Sequence, residues 1–187
     1  MNEQTPLSPL RLTINQIAVT WGIGSAAFLS RHWLFAVNGV MASITALSMA
    51  APWLMAIGQS WAADAVYRLY ASICHQLPFR SYFLFGYQMA YCQRNFAIFL
   101  SLLLAGLVFA ALRRRMRPID WRLYLVLIAP MAVDGFTQLF GWRESNWELR
   151  TVTGTLFGVA SVWFLYPHID VGMAELSREL SEIERPA

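Results

Sequence analysis

From Trp33 to Gly58 the chain carries Asn38 as its only strongly polar side chain. No other feature limits the fold as much. At 1.5 Å of rise each, about 26 residues cross a hydrocarbon core of about 30 Å with room for tilt. Water is not at hand there for backbone N–H and C=O groups, so a lone spanning segment must be a helix that satisfies them internally. Three further runs repeat the pattern. Residues 88–112 form the second, with Cys92, Gln93 and Arg94 in its first two turns. Residues 121–141 form the third, opened by Pro118 and Trp121 and closed by Gly141-Trp142, with Asp134 and Gln138 inside it. The fourth, 146–166, starts at Ser145-Asn146-Trp147-Glu148, which reads as a capping box, and stops before Pro167. The expected fold is an all-α integral membrane protein, a bundle of about four transmembrane helices plus an interfacial amphipathic helix.

That last helix is expected over 61–77, where apolar residues at 62, 65, 66, 69, 70, 73 and 77 share one face and Pro78 ends the run. Residues 1–32 read as an interfacial or poorly ordered leader, because Gly22, Gly24 and Ser25 interrupt a run short for a span; a fifth span over 14–29 is the alternative. Met1 to Pro6 lacks the positive start and small-residue cleavage site of a signal peptide, so the first span is expected to stay as an anchor. Residues 167–187 read as an acidic amphipathic tail with Met173, Leu176, Leu180 and Ile183 at helical spacing.

Composition agrees with a membrane solvent: 57% hydrophobic and 13% charged, against about 45–50% and about 25% in soluble domains. All 14 basic residues are arginine and the net charge is +3. This is not a nucleic-acid footprint, because Arg113, Arg114, Arg115 and Arg117 follow an apolar run as a juxtamembrane anchor would. The leader, the 113–122 loop and the tail share one side, with Arg31, Arg113, Arg114, Arg115, Arg117, Arg122 and Arg178. Arg68, Arg80, Arg94, Arg143 and Arg150 fall on the other. The denser group is expected to face the cytoplasm, which makes both termini cytoplasmic.

This topology sends Cys74, His75, Gln76, Arg80, Cys92, Arg94, Asp134, Gln138, Arg143, Ser145, Asn146 and Arg150 to the outer half. Asp134 would lie about 10 Å below the outer boundary, where a carboxylate costs several kcal/mol unless paired, hydrated or protonated. Gln138 shares its helix face, and an aspartate–arginine pair is the expected resolution. One carboxylate needs one arginine, so the surplus points to an anionic ligand, an anionic headgroup or small anion, held by His75, Arg80, Arg94, Asp134, Gln138, Arg143 and Arg150. A bridge that only fixes helix register is the plainer reading.

Cys74 and Cys92 are candidates for a disulfide closing a loop of about 18 residues. Zinc on Cys74, His75 and Cys92, or a thiol–quinone pair, are alternatives, although adjacent Cys-His is unusual ligand spacing and Cys-x-x-Cys is absent. The residues name no cofactor, with zinc as the alternative. An enzyme acting on a lipid-linked substrate, with His75 or Asp134 in acid–base work, is a second reading. A third is an accessory subunit that meets a partner through the tail or through Gly154-x-x-x-Gly158.

Several motifs occur together: Cys74-His75-Gln76-Leu77-Pro78-Phe79-Arg80-Ser81, Phe85-Gly86-Tyr87-Gln88 with Cys92-Gln93-Arg94, Asp134-Gly135-Phe136-Thr137-Gln138, and Gly141-Trp142-Arg143-Glu144-Ser145-Asn146 with Arg150 and Thr153-Gly154. Over about residues 31 to 168 the chain resembles the prokaryotic membrane proteins grouped as "domain of unknown function 2085". The resemblance implies a membrane class and a prokaryotic source, hence a cell (inner) membrane, and no activity.

Overall fold

The computed structural model describes residues 9–183; the ends of the expected leader and tail lie outside the described residues. The order is α1 (Pro9–Ala56), α2 (Ser60–Ala71), a short 3-10 turn (Pro78–Arg80), β1 (Ser81–Leu84), β2 (Tyr87–Cys92), α3 (Gln93–Leu112), α4 (Trp121–Leu139) and α5 (Trp147–Ile183). Among the described residues, three helical segments are long and apolar enough to cross a membrane: Ala18–Ala56, Gln93–Leu112 and Trp147–Ile183. α4, with 19 residues, is not among them; Arg122, Asp134 and Gln138 lower its apolar character.

The boundaries differ from the sequence reading for local reasons. α1 runs through the expected leader as one helix, since Gly22 and Gly24 each cost only about 1 kcal/mol in helix propensity and an existing helix adds a bond with every residue. α5 likewise continues through Pro167 into the expected tail. The proline removes one N–H bond, and His168 Nδ1 sits 2.7 Å from Phe164 O beside the break. α2 ends at Ala71 rather than at Pro78. The N–H groups of Ile73 and Cys74 both turn back to Tyr70 O at 3.1 and 2.9 Å, and Gln76 takes a positive φ of 49°.

The chain divides into two units. In the one that joins the first part of α1 to the end of α5, Trp33 Nε1 donates to Asp170 Oδ1 at 3.3 Å, and Ala27, Ser30, Trp33, Leu34 and Leu180 are buried.

The other unit, 37–168, holds everything else. There α3 and α5 lie side by side and parallel, in close contact at two glycines. A Cβ on Gly154 would stand 2.8 Å from Arg94 O and 3.1 Å from Ala97 Cβ; one on Gly158 would collide with Ser101 Oγ and lie 2.9 Å from Ile98 O. The Gly154/Gly158 face offered to a partner in the sequence reading is thus filled by α3 of the same chain. α4 returns antiparallel, stacking Tyr124 on Phe164 of α5 with ring centroids 4.6 Å apart. Asp120 caps its start, accepting from Arg122 N at 2.8 Å. At its end Gly141 (φ 69°) lets Gly141 N reach Gln138 O and Trp142 N reach Thr137 O at 3.2 and 3.0 Å, a Schellman stop.

Residues 81–92 form an antiparallel hairpin where the sequence reading puts the start of a span. Its two turn residues, Phe85 and Gly86, both have positive φ (55° and 81°), the twist that suits a two-residue hairpin. Ser81 pairs with Cys92 and Leu84 with Tyr87, with an irregularity between Ser81 and Phe83. Buried Tyr91 anchors the hairpin, edge-on to Tyr70 of α2 at 4.5 Å and stacked on Phe99 of α3 at 5.4 Å.

Candidate functional site: an arginine centre at one end of the bundle

Arg94 and Arg150 fall in the first turns of α3 and α5, and Asp134 and Gln138 in the last turns of antiparallel α4. Helix direction alone therefore brings them to the same end. Asp134 is 1% exposed. Its Oδ2 accepts from Arg94 Nη2 and, at 2.9 Å, from Ser145 Oγ; its Oδ1 accepts from Arg143 Nη2 at 2.6 Å. Arg143 Nε also donates to Thr137 Oγ1 at 3.2 Å, one turn along α4. The charge is thus met by two guanidiniums and a hydroxyl, as a buried carboxylate requires.

A second layer surrounds Gln138. Arg94 Nη2 stands 3.3 Å from one end of its amide, and Nη2 of Arg80 and of Arg150 stand 3.2 and 3.1 Å from the other. Guanidiniums only donate, so the oxygen belongs at the end facing two of them. Arg150, 3% exposed, also donates through Nη1 to Gln93 Oε1 at 3.2 Å and Phe79 O at 3.4 Å. Gln93 in turn donates to Ser81 O at 3.2 Å. Arg80 sits 3.8 Å from exposed Glu144 and against the Phe79 ring, 5.2 Å from its centroid.

Six of the seven expected ligand residues therefore meet: Arg80, Arg94, Asp134, Gln138, Arg143 and Arg150. His75 does not; it is exposed and takes no part in the network. The sequence reading missed Gln93 as the acceptor for Arg150, although its place between Cys92 and Arg94 was a signal. It also gave Ser145 the wrong task. Helix α5 is capped by Asn146, whose Oδ1 accepts from Leu149 N at 2.9 Å, and this leaves the Ser145 hydroxyl for Asp134.

The rest of the 74–92 motif ties the hairpin down. Tyr67 OH donates to Gln88 O at 2.5 Å, Gln76 Nε2 to Tyr67 O at 2.8 Å, and Gln88 Nε2 to Gln76 O and Ser81 Oγ at 2.5 and 3.1 Å. Tyr82 and Thr151 share a hydroxyl contact that joins β1 to α5. Cys74 and Cys92 are free thiols set side by side, with Cys92 N–H donating to Cys74 Sγ at 3.3 Å. The Cys92 thiol donates to Cys74 as well, holding the Cys74 pKa down at about 6 against the opposing effect of burial. The same contact, with burial, pushes Cys92 up. Among the described residues no three His, Cys, Asp or Glu side chains gather to hold a metal, so the zinc alternative on Cys74, His75 and Cys92 lacks its geometry.

Fold and site together define a mostly helical membrane protein whose carboxylate-centred arginine cluster closes one end of a bundle. The chain belongs to the family described as "Predicted membrane protein (DUF2085)", whose model matches residues 74–164. It is 43% identical over 105 residues to an uncharacterized protein of Methanocaldococcus jannaschii, covering 54% of this chain and 67% of the relative. It is 36% identical over 87 residues to an uncharacterized protein of Methanothermobacter thermautotrophicus, covering 46% and 78%. No solved structure matches the chain.

Proposed function

We propose that the protein crosses the cell membrane four times, with both termini cytoplasmic, and uses the arginine centre at its outer end to bind an anionic headgroup or small anion. Lengths support the four crossings. Within unit 37–168, the α1 portion, α3, α4 and the α5 portion each come to about 20 residues, or about 30 Å, the thickness of a hydrocarbon core. Arg113, Arg114, Arg115 and Arg117 lie at the opposite end from the centre, where positive charge favours the cytoplasm.

One observation carries the binding role. Four guanidiniums gather around one buried carboxylate and one amide, two on Asp134 and two on Gln138, and Nε of Arg80, Arg94 and Arg150 is buried with no hydrogen-bond acceptor. An unmet buried donor costs about 1–3 kcal/mol, more when charged, which favours an anionic acceptor among these arginines. The acid–base reading loses its histidine, because His75 stands apart.

The test is retention of anionic lipid and phosphate by the detergent-purified chain, comparing wild type with Arg143→Gln. The Arg143 side chain is 45% exposed, so the fold should tolerate the change. Wild type should gain thermal stability with anion, and the variant should bind at least tenfold more weakly. If anions leave the wild-type melting temperature unmoved and none is retained, the binding role is wrong.

A further inference from the structure

The geometry points to a dianionic tetrahedral oxyanion, a phosphate or a phosphate monoester, as the ligand of this centre rather than a carboxylate or a halide. The inference rests on the anion-binding reading and adds the ligand's class.

Charge is the first argument. Arg80, Arg94, Arg143 and Arg150 meet Asp134 and, at 3.8 Å and in solvent, Glu144. Even crediting both carboxylates in full leaves a surplus of two positive charges. A monoanion would cancel half of it; a dianion cancels it all. Arg94 and Arg150 are largely shielded from water, so the charge they carry matters more than it would on an open surface.

Donor supply is the second. Asp134 already takes three donors, Arg143 on Oδ1 and Arg94 and Ser145 on Oδ2, so of its roughly four acceptor sites it has at most one left for three unmet N–H groups. The other acceptors at hand, Phe79 O, Gln93 Oε1 and the Gln138 amide oxygen, are neutral and already engaged by Nη groups. The three orphaned Nε–H groups belong to separate elements: the 3-10 turn, α3 and α5. A carboxylate offers two oxygens in one plane, a halide offers one centre, and a tetrahedral oxyanion offers three or four oxygens in different directions. Guanidinium forks match such oxygens in pairs.

Access is the third. The Arg80 and Arg143 side chains are 33% and 45% exposed, Arg94 18%, and Arg150 is buried. The two more exposed arginines are open to an arriving anion, and the buried Nε–H groups are met when the side chains around them shift. Phe79, Phe83 and Phe85, next to Arg80 in the chain, are all exposed. Exposed apolar rings of this kind bury themselves at the headgroup/acyl boundary of a bilayer, so the same phosphate chemistry has two sources, free oxyanion or lipid phosphate.

The experiment is a ligand panel on the wild-type full chain, which no folding defect can confound. Binding of inorganic phosphate, sulfate, acetate and chloride is measured by calorimetry in detergent, and binding of phosphatidate by native mass spectrometry from nanodiscs. Phosphate and sulfate binding at least tenfold tighter than acetate and chloride is the expected result. Phosphatidate binding with no measurable free phosphate also supports the proposal and identifies the lipid source. Equal binding of all four small anions overturns the ligand class while leaving anion binding in place. Binding of none of the five overturns both.

Discussion

Replacing Asp134 by Asn keeps the shape of the side chain and removes the charge on which the arginine centre is built. Three contacts are affected unequally. Arg94, with its side chain 18% exposed, loses a partner in a buried pair, and breaking such pairs costs about 3–5 kcal/mol. Arg143, 45% exposed, is screened by solvent, so its share is that of a surface pair, at most about 1 kcal/mol. Ser145 can still donate to the amide oxygen at its present 2.9 Å and contributes little to the loss. The net expectation is about 4 kcal/mol, which in a chain of this size lowers the melting temperature by on the order of 10 °C. Thermal unfolding in mild detergent measures it, and a cycle with Arg94→Gln should return a coupling of about 2–3 kcal/mol. A melting temperature within about 2 °C of wild type would refute the reasoning. So would a larger coupling of Asp134 to Arg143 than to Arg94.

Oxidising the purified protein with a small disulfide should bridge Cys74 to Cys92, with a mass loss of about 2 Da and, from the loop of about 18 residues, a gain of about 3 kcal/mol; an unchanged mass would show the thiols cannot meet. In the reduced protein the Cys74 pKa lies below its ordinary value of 9.0, at about 6. Its contribution to stability is therefore full above pH 9 and is lost as pH falls through about 6. Melting temperatures across pH 5 to 8 should show a step that Cys74→Ser removes. Gly154→Ala puts a methyl 2.8 Å from Arg94 O, and the resulting separation of α3 from α5 should cost about 1–3 kcal/mol; a neutral effect in the same melts would mean the two helices are less closely packed.

The helices were legible because apolar runs of that length have one solution in a bilayer, and the acidic and basic residues of the site because helix direction fixes their depth. The hairpin was not. Ser81 to Cys92 carries the aromatic residues of a strand, but its turn is Phe85-Gly86 rather than Asn-Gly, and the residues after Gly86 read equally well as the first turn of a span. Ser145 misled for a related reason: Ser145 and Asn146 both suit a cap, and only the position of Asp134 decides which one does it. Pro167 looks like a terminator because helix propensities weigh a proline against water, whereas an apolar surrounding keeps the remaining backbone bonds worth making.

Cys92, Gln93 and Arg94 occupy three consecutive positions, yet they face Cys74, Arg150 and Asp134 in turn. The strand ends and α3 begins inside that triplet, so the hairpin's length works as a gauge that sets the rotation of α3. Adding or removing one residue between Leu84 and Cys92 would swing the helix start by about 100°. The thiol, amide and guanidinium contacts would then be lost together, although every side chain that makes them was still present.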